Sequence, residues 1–206
     1  VLITPDGERT MCTHLGASTH INAADLTPEL LNQYDILHTE GYLVSDRALI
    51  SDCLHRAKLA GLLVSIDLAS YNIVRENYEF LHTLVEQYVD IVFANEEEAR
   101  TFTGVAPEAA VDVIAELADY AVVKLGGRGS LIKHDGTTYR IDATPAHAID
   151  TTGAGDFYAA GFLYGLSRGL DMQRCGNLGA LVSGKVVEVI GSNLNDSTWD
   201  EIRSTL

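Results

Sequence analysis

Between residues 34 and 125, short apolar runs alternate with stretches whose apolar residues recur at helical spacing. Tyr34–Thr39 (YDILHT), Leu62–Ile66 (LLVSI), Asp90–Ala94 (DIVFA) and Tyr120–Leu125 (YAVVKL) are the apolar runs. Their length and continuity predict strands covered on both faces. Helices are expected over Asp46–Ala60, over Tyr78–Tyr88, from about Glu96, and from Pro107 to about Asp119. Asp46 is placed to cap the first of these, and Pro107 suits the first turn of the last. This alternation predicts an α/β fold with a mostly parallel sheet between helices.

The pattern changes after residue 125. Ser130–Lys133 and Thr138–Ile141 flank Asp135-Gly136, the signal of a β-hairpin. Two helices follow, Gly153 to about Arg168 and Met172 to about Val189, with a short one after Ser197. At the other end, Val1–Ile3 reads as a strand already in progress, Asp6-Gly7 as a tight turn and Thr10–Leu15 as the return. With no initiator Met, the chain is expected to begin mid-protein. No linker and no repeat at solenoid period is evident.

Composition narrows the function. The 206 residues carry 14 Lys and Arg against 29 Asp and Glu, a formal charge of −15. Such a surface argues against nucleic-acid and anionic-membrane partners. It also repels small polyanions, so a site for one must create its own local positive potential from helix N-termini, a few Lys or Arg and a metal ion. Cys12, Cys53 and Cys175 are odd in number and set in apolar contexts, which reads as reduced, buried thiols of a cytoplasmic protein. Cys12 and His14 have no second pair to complete a metal site. No apolar run is long enough to span a membrane, and the opening is not a signal peptide.

The strands end in polar or glycine residues: Thr39-Glu40-Gly41, Asp67, Asn95-Glu96 and Gly126-Gly127. Ligands of open α/β sheets bind beyond such carboxyl ends, although exposed loops account for the polarity equally well. The most informative segment is DTTGAGD, residues 150–156, running into FYAAGFLYGL. Gly153 and Gly155 let backbone amides approach a ligand at the start of a helix, where unpaired N–H groups and the helix dipole favour an anion. Asp156 lies in the first turn, where a carboxylate is also favoured structurally. The small residues Ala159, Ala160 and Gly161 would let this helix lie tight against the sheet.

The segment DTTGAGDFYAAG closely resembles the C-terminal signature of the ribokinase-like (PfkB-type) carbohydrate and nucleoside kinases. That resemblance implies a three-layer α/β/α sandwich with part of a small β lid at residues 1–16 and the kinase core over 17–206. It implies ATP-dependent phosphorylation of a hydroxyl of a small sugar or nucleoside. The amides of Gly153, Ala154 and Gly155 would form an anion hole for the transferring phosphoryl group, and Asp156 would be the base. Asn95 and Glu98 match the family's Asn-x-x-Glu motif, which helps hold Mg2+ through waters and phosphates. An Asn cap with Glu at N3 is equally the pattern of a capping box. Lys124, Gly126, Gly127 and Gly129 match a K-x-G-x-x-G pattern lining the nucleotide site. Hairpin turns need glycine anyway, and Arg128 is a weaker candidate.

By the same resemblance Thr152 and Asn177 fall at the nucleotide site, and Gly191-Ser192-Asn193 where the family closes its adenine pocket. His147 is a candidate to touch adenine, although loop histidines are commonly just exposed. A monovalent cation, K+, is implied near Asp150 and Thr152, its other ligands coming from the loop around Gly191. The N-terminal part of such a protein, with its other signature and main sugar-recognition residues, is expected outside these 206 residues. GERTMCTHLGAS and DLASYN are most similar to adenosine kinase-like members, and lid sheets of the family support homodimers. The competing reading is a catalytically incompetent fragment or sensor that binds nucleotide or sugar. A dinucleotide-dependent dehydrogenase fits poorly, because its glycine turn follows the first strand.

Overall fold

A computed structural model describes residues 2–3, 9–10 and 12–205. The chain divides into two compact units. One comprises Gly16–Leu125 with Leu131–Tyr139 and holds most of a six-stranded sheet; the other comprises Gly126–Ser130 and Arg140–Leu206 together with the opening residues.

In the sheet unit the chain runs α1 (Pro28–Leu31), β3 (Ile36–Glu40), α2 (Arg47–Leu59), β4 (Leu63–Asp67), α3 (Tyr71–Glu76), α4 (Tyr78–Tyr88), β5 (Ile91–Asn95), α5 (Glu96–Thr103), α6 (Pro107–Ile114) and β6 (Tyr120–Lys124). β3, β4, β5 and β6 are neighbours in that order and parallel, with Glu40 level with Asp67, Asp67 with Phe93, and Asn95 with Lys124. Because side chains alternate along each strand, this register sorts the sheet into two faces. Val64, Ile66, Val92, Ala94, Ala121 and Val123 form one face and join the apolar core with Ile50, Leu54, Leu81 and Ile114 of the helices. Each buried Val, Leu or Ile there stabilises the fold by about 1.5–3 kcal/mol. The other face carries His38, Ser65, Asp67, Phe93, Asn95 and Lys124. On it His38 Nδ1 lies 3.0 Å from Ser65 Oγ, and the His38 ring meets Phe93 edge-on.

Local chemistry explains the helix starts. Asp46 accepts from the Leu49 amide at 3.0 Å and heads α2, as its position predicts. Pro107 occupies the first turn of α6. That helix stops at Ile114 instead of continuing to Asp119; turns cover the remaining residues up to β6. The short helices α1 and α3 give too few turns for apolar periodicity to reveal and were not expected. β7 (Ser130–His134) and β8 (Thr137–Ile141) form the expected hairpin. Asp135 and Gly136 both have positive φ, 47° and 72°, which a two-residue primed turn requires.

The second unit contains α7 (Ala154–Ser167), α8 (Met172–Val186) and α9 (Asp196–Arg203). The glycines of α7 and α8 make an intimate seam. A Cβ at Gly161 would stand 2.8 Å from the Leu178 carbonyl oxygen, and one at Gly179 would stand 2.8 Å from that of Tyr158. The close approach that Gly161 permits is therefore to α8, while Ala159 is buried and Ala160 exposed. β1 (Leu2–Ile3) and β2 (Arg9–Thr10) pair antiparallel. The return strand is thus short: residues 12–15 have no regular structure, and the expected Asp6-Gly7 turn lies outside the described residues. The thiols also depart from expectation, since Cys175 is buried but Cys53 is half-buried and Cys12 exposed. Among the described residues no helix is long and apolar enough to cross a membrane.

Candidate active site

In the sheet unit the carboxyl ends of β4, β5 and β6 bring together charges that are far apart in sequence. Lys124 Nζ lies 2.5 Å from Asp67 Oδ2, both side chains being largely shielded from solvent. Asp67 sits level with Phe93, two residues short of Asn95, so the lysine leans back across the end of β5. The other oxygen of Asp67 accepts from the Ala69 amide at 3.0 Å. Ala69 has φ 68°, a left-handed conformation uncommon for a residue with a Cβ, and this Asp-led turn supports it.

Asn95 and Glu98 form a complete capping box at the start of α5. Asn95 Oδ1 accepts from the amides of Glu97 and Glu98 at 3.0 Å each, and Glu98 Oε2 accepts from the Asn95 amide at 2.8 Å. Asn95 Nδ2 also donates to Glu98 Oε1 at 2.6 Å. The pattern that suits Mg2+ is therefore also a cap, and the structural account holds whether or not a metal binds. Glu98 is buried. Burial first, and the Asp67 carboxylate second, push its pKa up to about 7, while the Asn95 amide and Lys124 oppose the shift. A cation would relieve that unfavourable charge, so the donor set fits a hard metal ion reached through water. Among the described residues no cluster of three or more His, Cys, Asp or Glu is placed to hold a metal.

In the second unit Gly153 heads α7 with φ 79°, and no side chain caps the helix. A Cβ there would stand 3.0 Å from Ser192 Cβ, so glycine is required both by conformation and by space. Of the three amides expected to face an anion, that of Ala154 donates to the Thr151 carbonyl at 3.2 Å, a long bond that an anion would compete with. Asp156 lies in the first turn of α7 and is exposed, its carboxylate free of the core.

Asp150, by contrast, is 1% exposed. Its two oxygens accept from the Thr152 amide at 2.9 Å and the Gly191 amide at 2.8 Å. Thr152 Oγ1 is buried without a hydrogen-bond partner among the described residues. An orphaned hydroxyl oxygen beside a buried carboxylate suits a monovalent cation.

The remaining candidates are placed as follows. Gly126 and Gly127 are exposed, whereas a Cβ at Gly129 would collide with the Ile141 carbonyl oxygen, so that glycine is structurally obligatory. Asn177 is exposed on α8 and accepts from Gln173 Nε2 at 3.2 Å. His147 is exposed, and its amide donates to Glu188 Oε1 at 3.0 Å. Sequence reasoning noted Asp67 and Lys124 separately and missed their pairing; opposite charges ending β4 and β6 were the available signal.

The family model for pfkB carbohydrate kinases matches residues 1–199. The chain belongs to the pfkB family. The crystal structure of a probable sugar kinase from Rhizobium etli CFN 42 superposes with a TM-score of 0.92 at 32% identity, covering 98% of this chain and 63% of that one. Adenosine kinase from Sinorhizobium meliloti gives a TM-score of 0.92 at 31% identity, covering 99% of this chain and 64% of that one. A nucleoside kinase of Methanocaldococcus jannaschii is 33% identical over 141 residues, which is 68% of this chain and 46% of that protein. The chain thus spans less than two thirds of these relatives. The ribokinase-like α/β fold expected from the sequence is the one observed.

Proposed function

We propose that this pfkB chain is the nucleotide-binding part of an ATP-dependent kinase that phosphorylates a hydroxyl of a nucleoside. The observation that carries the reading is Asp156, exposed in the first turn of α7 three residues after the left-handed Gly153, which no side chain caps. In that position a carboxylate accepts the proton of an acceptor hydroxyl while amides of the same turn, that of Ala154 giving up its long bond to Thr151, receive the transferring phosphoryl group. Phosphoryl transfer needs positioning and charge neutralisation more than covalent chemistry, and this turn is equipped for both. The amides of Gly153, Ala154 and Gly155 form the anion hole in this reading. Lys124, Gly126, Gly127, Gly129, Thr152 and Asn177 are the candidates to contact the nucleotide.

Asn95 and Glu98 would hold Mg2+ through water, and the ion would supply neutralisation of the phosphate charge. Asp150 and Thr152 are the candidates for K+, supported by the orphaned Thr152 hydroxyl. A nucleoside is taken over a simple sugar because, of the three relatives described above, two are named for nucleosides and one as a probable sugar kinase. Residues 1–16 are read as part of a lid that also supports a homodimer.

The test is an ADP-release screen of the full-length protein with ATP and Mg2+ against adenosine, other nucleosides, ribose and fructose. Turnover with adenosine or a related nucleoside is the expected outcome. Turnover with sugars only would replace the acceptor assignment, and no turnover with any acceptor would overturn the kinase reading.

A further inference from the structure

Lys124 and Asp67 are 57 residues apart in sequence and sit on strands that are not neighbours. Their bridge crosses the end of β5 on the polar face of the sheet. Two features distinguish it from an ordinary surface ion pair. Both side chains are mostly shielded, 15% and 10% exposed, so the contact is only weakly screened by solvent. The two oxygens of Asp67 also have separate tasks: Oδ1 takes the Ala69 amide and Oδ2 takes the lysine. The turn at Ala69 fixes the carboxylate, and the carboxylate fixes the ammonium.

A lysine side chain has four rotatable carbons and a strongly hydrated head, so without such an anchor its ammonium would be spread over many positions. We propose that Asp67 is a positioning residue, which holds the Lys124 ammonium at the carboxyl end of β5 so that it meets the phosphates of the nucleotide. The proposal rests on the nucleotide-site reading of Lys124 given above. It adds a residue to that site and gives a role to the acidic end of β4, where in a chain of net charge −15 the carboxylate orients a cation.

The informative substitution is Asp67→Asn. Its side-chain oxygen can still accept from Ala69, while the atom facing Lys124 becomes a donor. Lys124→Met keeps the stem and removes the charge. Affinity for a non-hydrolysable ATP analogue with Mg2+, measured by calorimetry on the full-length protein, is expected to fall about tenfold in each single variant, the effect of losing roughly one charge-assisted hydrogen bond. The double variant should bind no more weakly than Lys124→Met alone, because Asp67 acts through the lysine. Asp67→Ser, which can also support the Ala69 amide without reaching Lys124, serves if the Asn variant does not fold.

Unchanged or tighter binding by a folded Asp67 variant overturns the proposal, as do losses that add in the double variant. A merely structural Asp67 would lower the unfolding midpoint and leave the affinity of the folded protein at the parent value. Binding is read without turnover, so a full-length protein that binds the analogue as described but phosphorylates nothing would overturn the kinase reading and leave this one standing.

Discussion

The strand ends of the sheet unit and the glycine turn of the helical unit solve opposite problems. At the strand ends each charge is already answered: Lys124 by Asp67, and Glu98 by the amide and side chain of Asn95. At the turn, α7 begins on a glycine with no side-chain cap, and the first carboxylate, Asp156, is exposed. Groups paired within the protein are held in a fixed orientation, in which a ligand meets them. Helix-start amides without a side-chain cap are open to competition from an anion. A chain of charge −15 thus has, in its peptide dipoles, a positive element that adds no residue charge.

Predictions that separate the two regions can be ordered by size. The largest effect belongs to the exposed acid. Asp156→Asn is expected to lower kcat by about 10²–10⁴ in the full-length enzyme, the usual contribution of a general base, with ATP affinity unchanged. Steady-state rates combined with nucleotide titration decide it, and near-parent turnover removes Asp156 from the mechanism.

Next comes the buried acid. The Glu98 carboxyl is raised from 4.5 to about 7. The native state therefore holds its proton more tightly than the unfolded chain does. That contribution is complete below about pH 4.5 and is lost as pH rises through about 7. Glu98→Gln, which retains a capping-box side chain, should flatten this dependence and stabilise the metal-free protein at about pH 8 by up to a few kcal/mol. Urea midpoints at about pH 5 and about pH 8 give the answer; equal slopes for parent and variant would show that the shift is absent.

Gly153→Ala forces a Cβ into a left-handed position next to Ser192 and should cost about 1–2 kcal/mol in stability. A larger loss in nucleotide-analogue affinity than in stability would show that the turn itself binds the phosphate. The smallest effect is expected from Asn95→Ala, which removes the cap of α5 at about 1 kcal/mol. If metal-dependent binding weakens far more than thermal stability does, Asn95 is more than a cap.

Much of this was legible before any coordinates. The four parallel strands, the Asp46 cap, the Asp135-Gly136 turn and the glycine-headed helix at 153 depend on residues within about four positions of each other, and such local preferences are written directly in the chain. Short helices such as Tyr71–Glu76 were lost because they are too brief for a period to appear. Two close contacts join residues that are far apart in sequence. Gly161 is small for the sake of α8, and Asp67 answers a lysine two strands away. The joining of Thr152 and Gly191 at Asp150 was anticipated only through family likeness.

What the sequence determined by itself is therefore the inventory: which segments form strands and helices, and that a glycine-headed helix carries an acid, Asp156, in its first turn. What the tertiary structure decided is the pairing, because strand register and helix packing set which side chains meet, and neither is specified by any stretch of neighbouring residues. Asp67 and Lys124 read as two unrelated charges until the parallel register of β4, β5 and β6 sets them on one face.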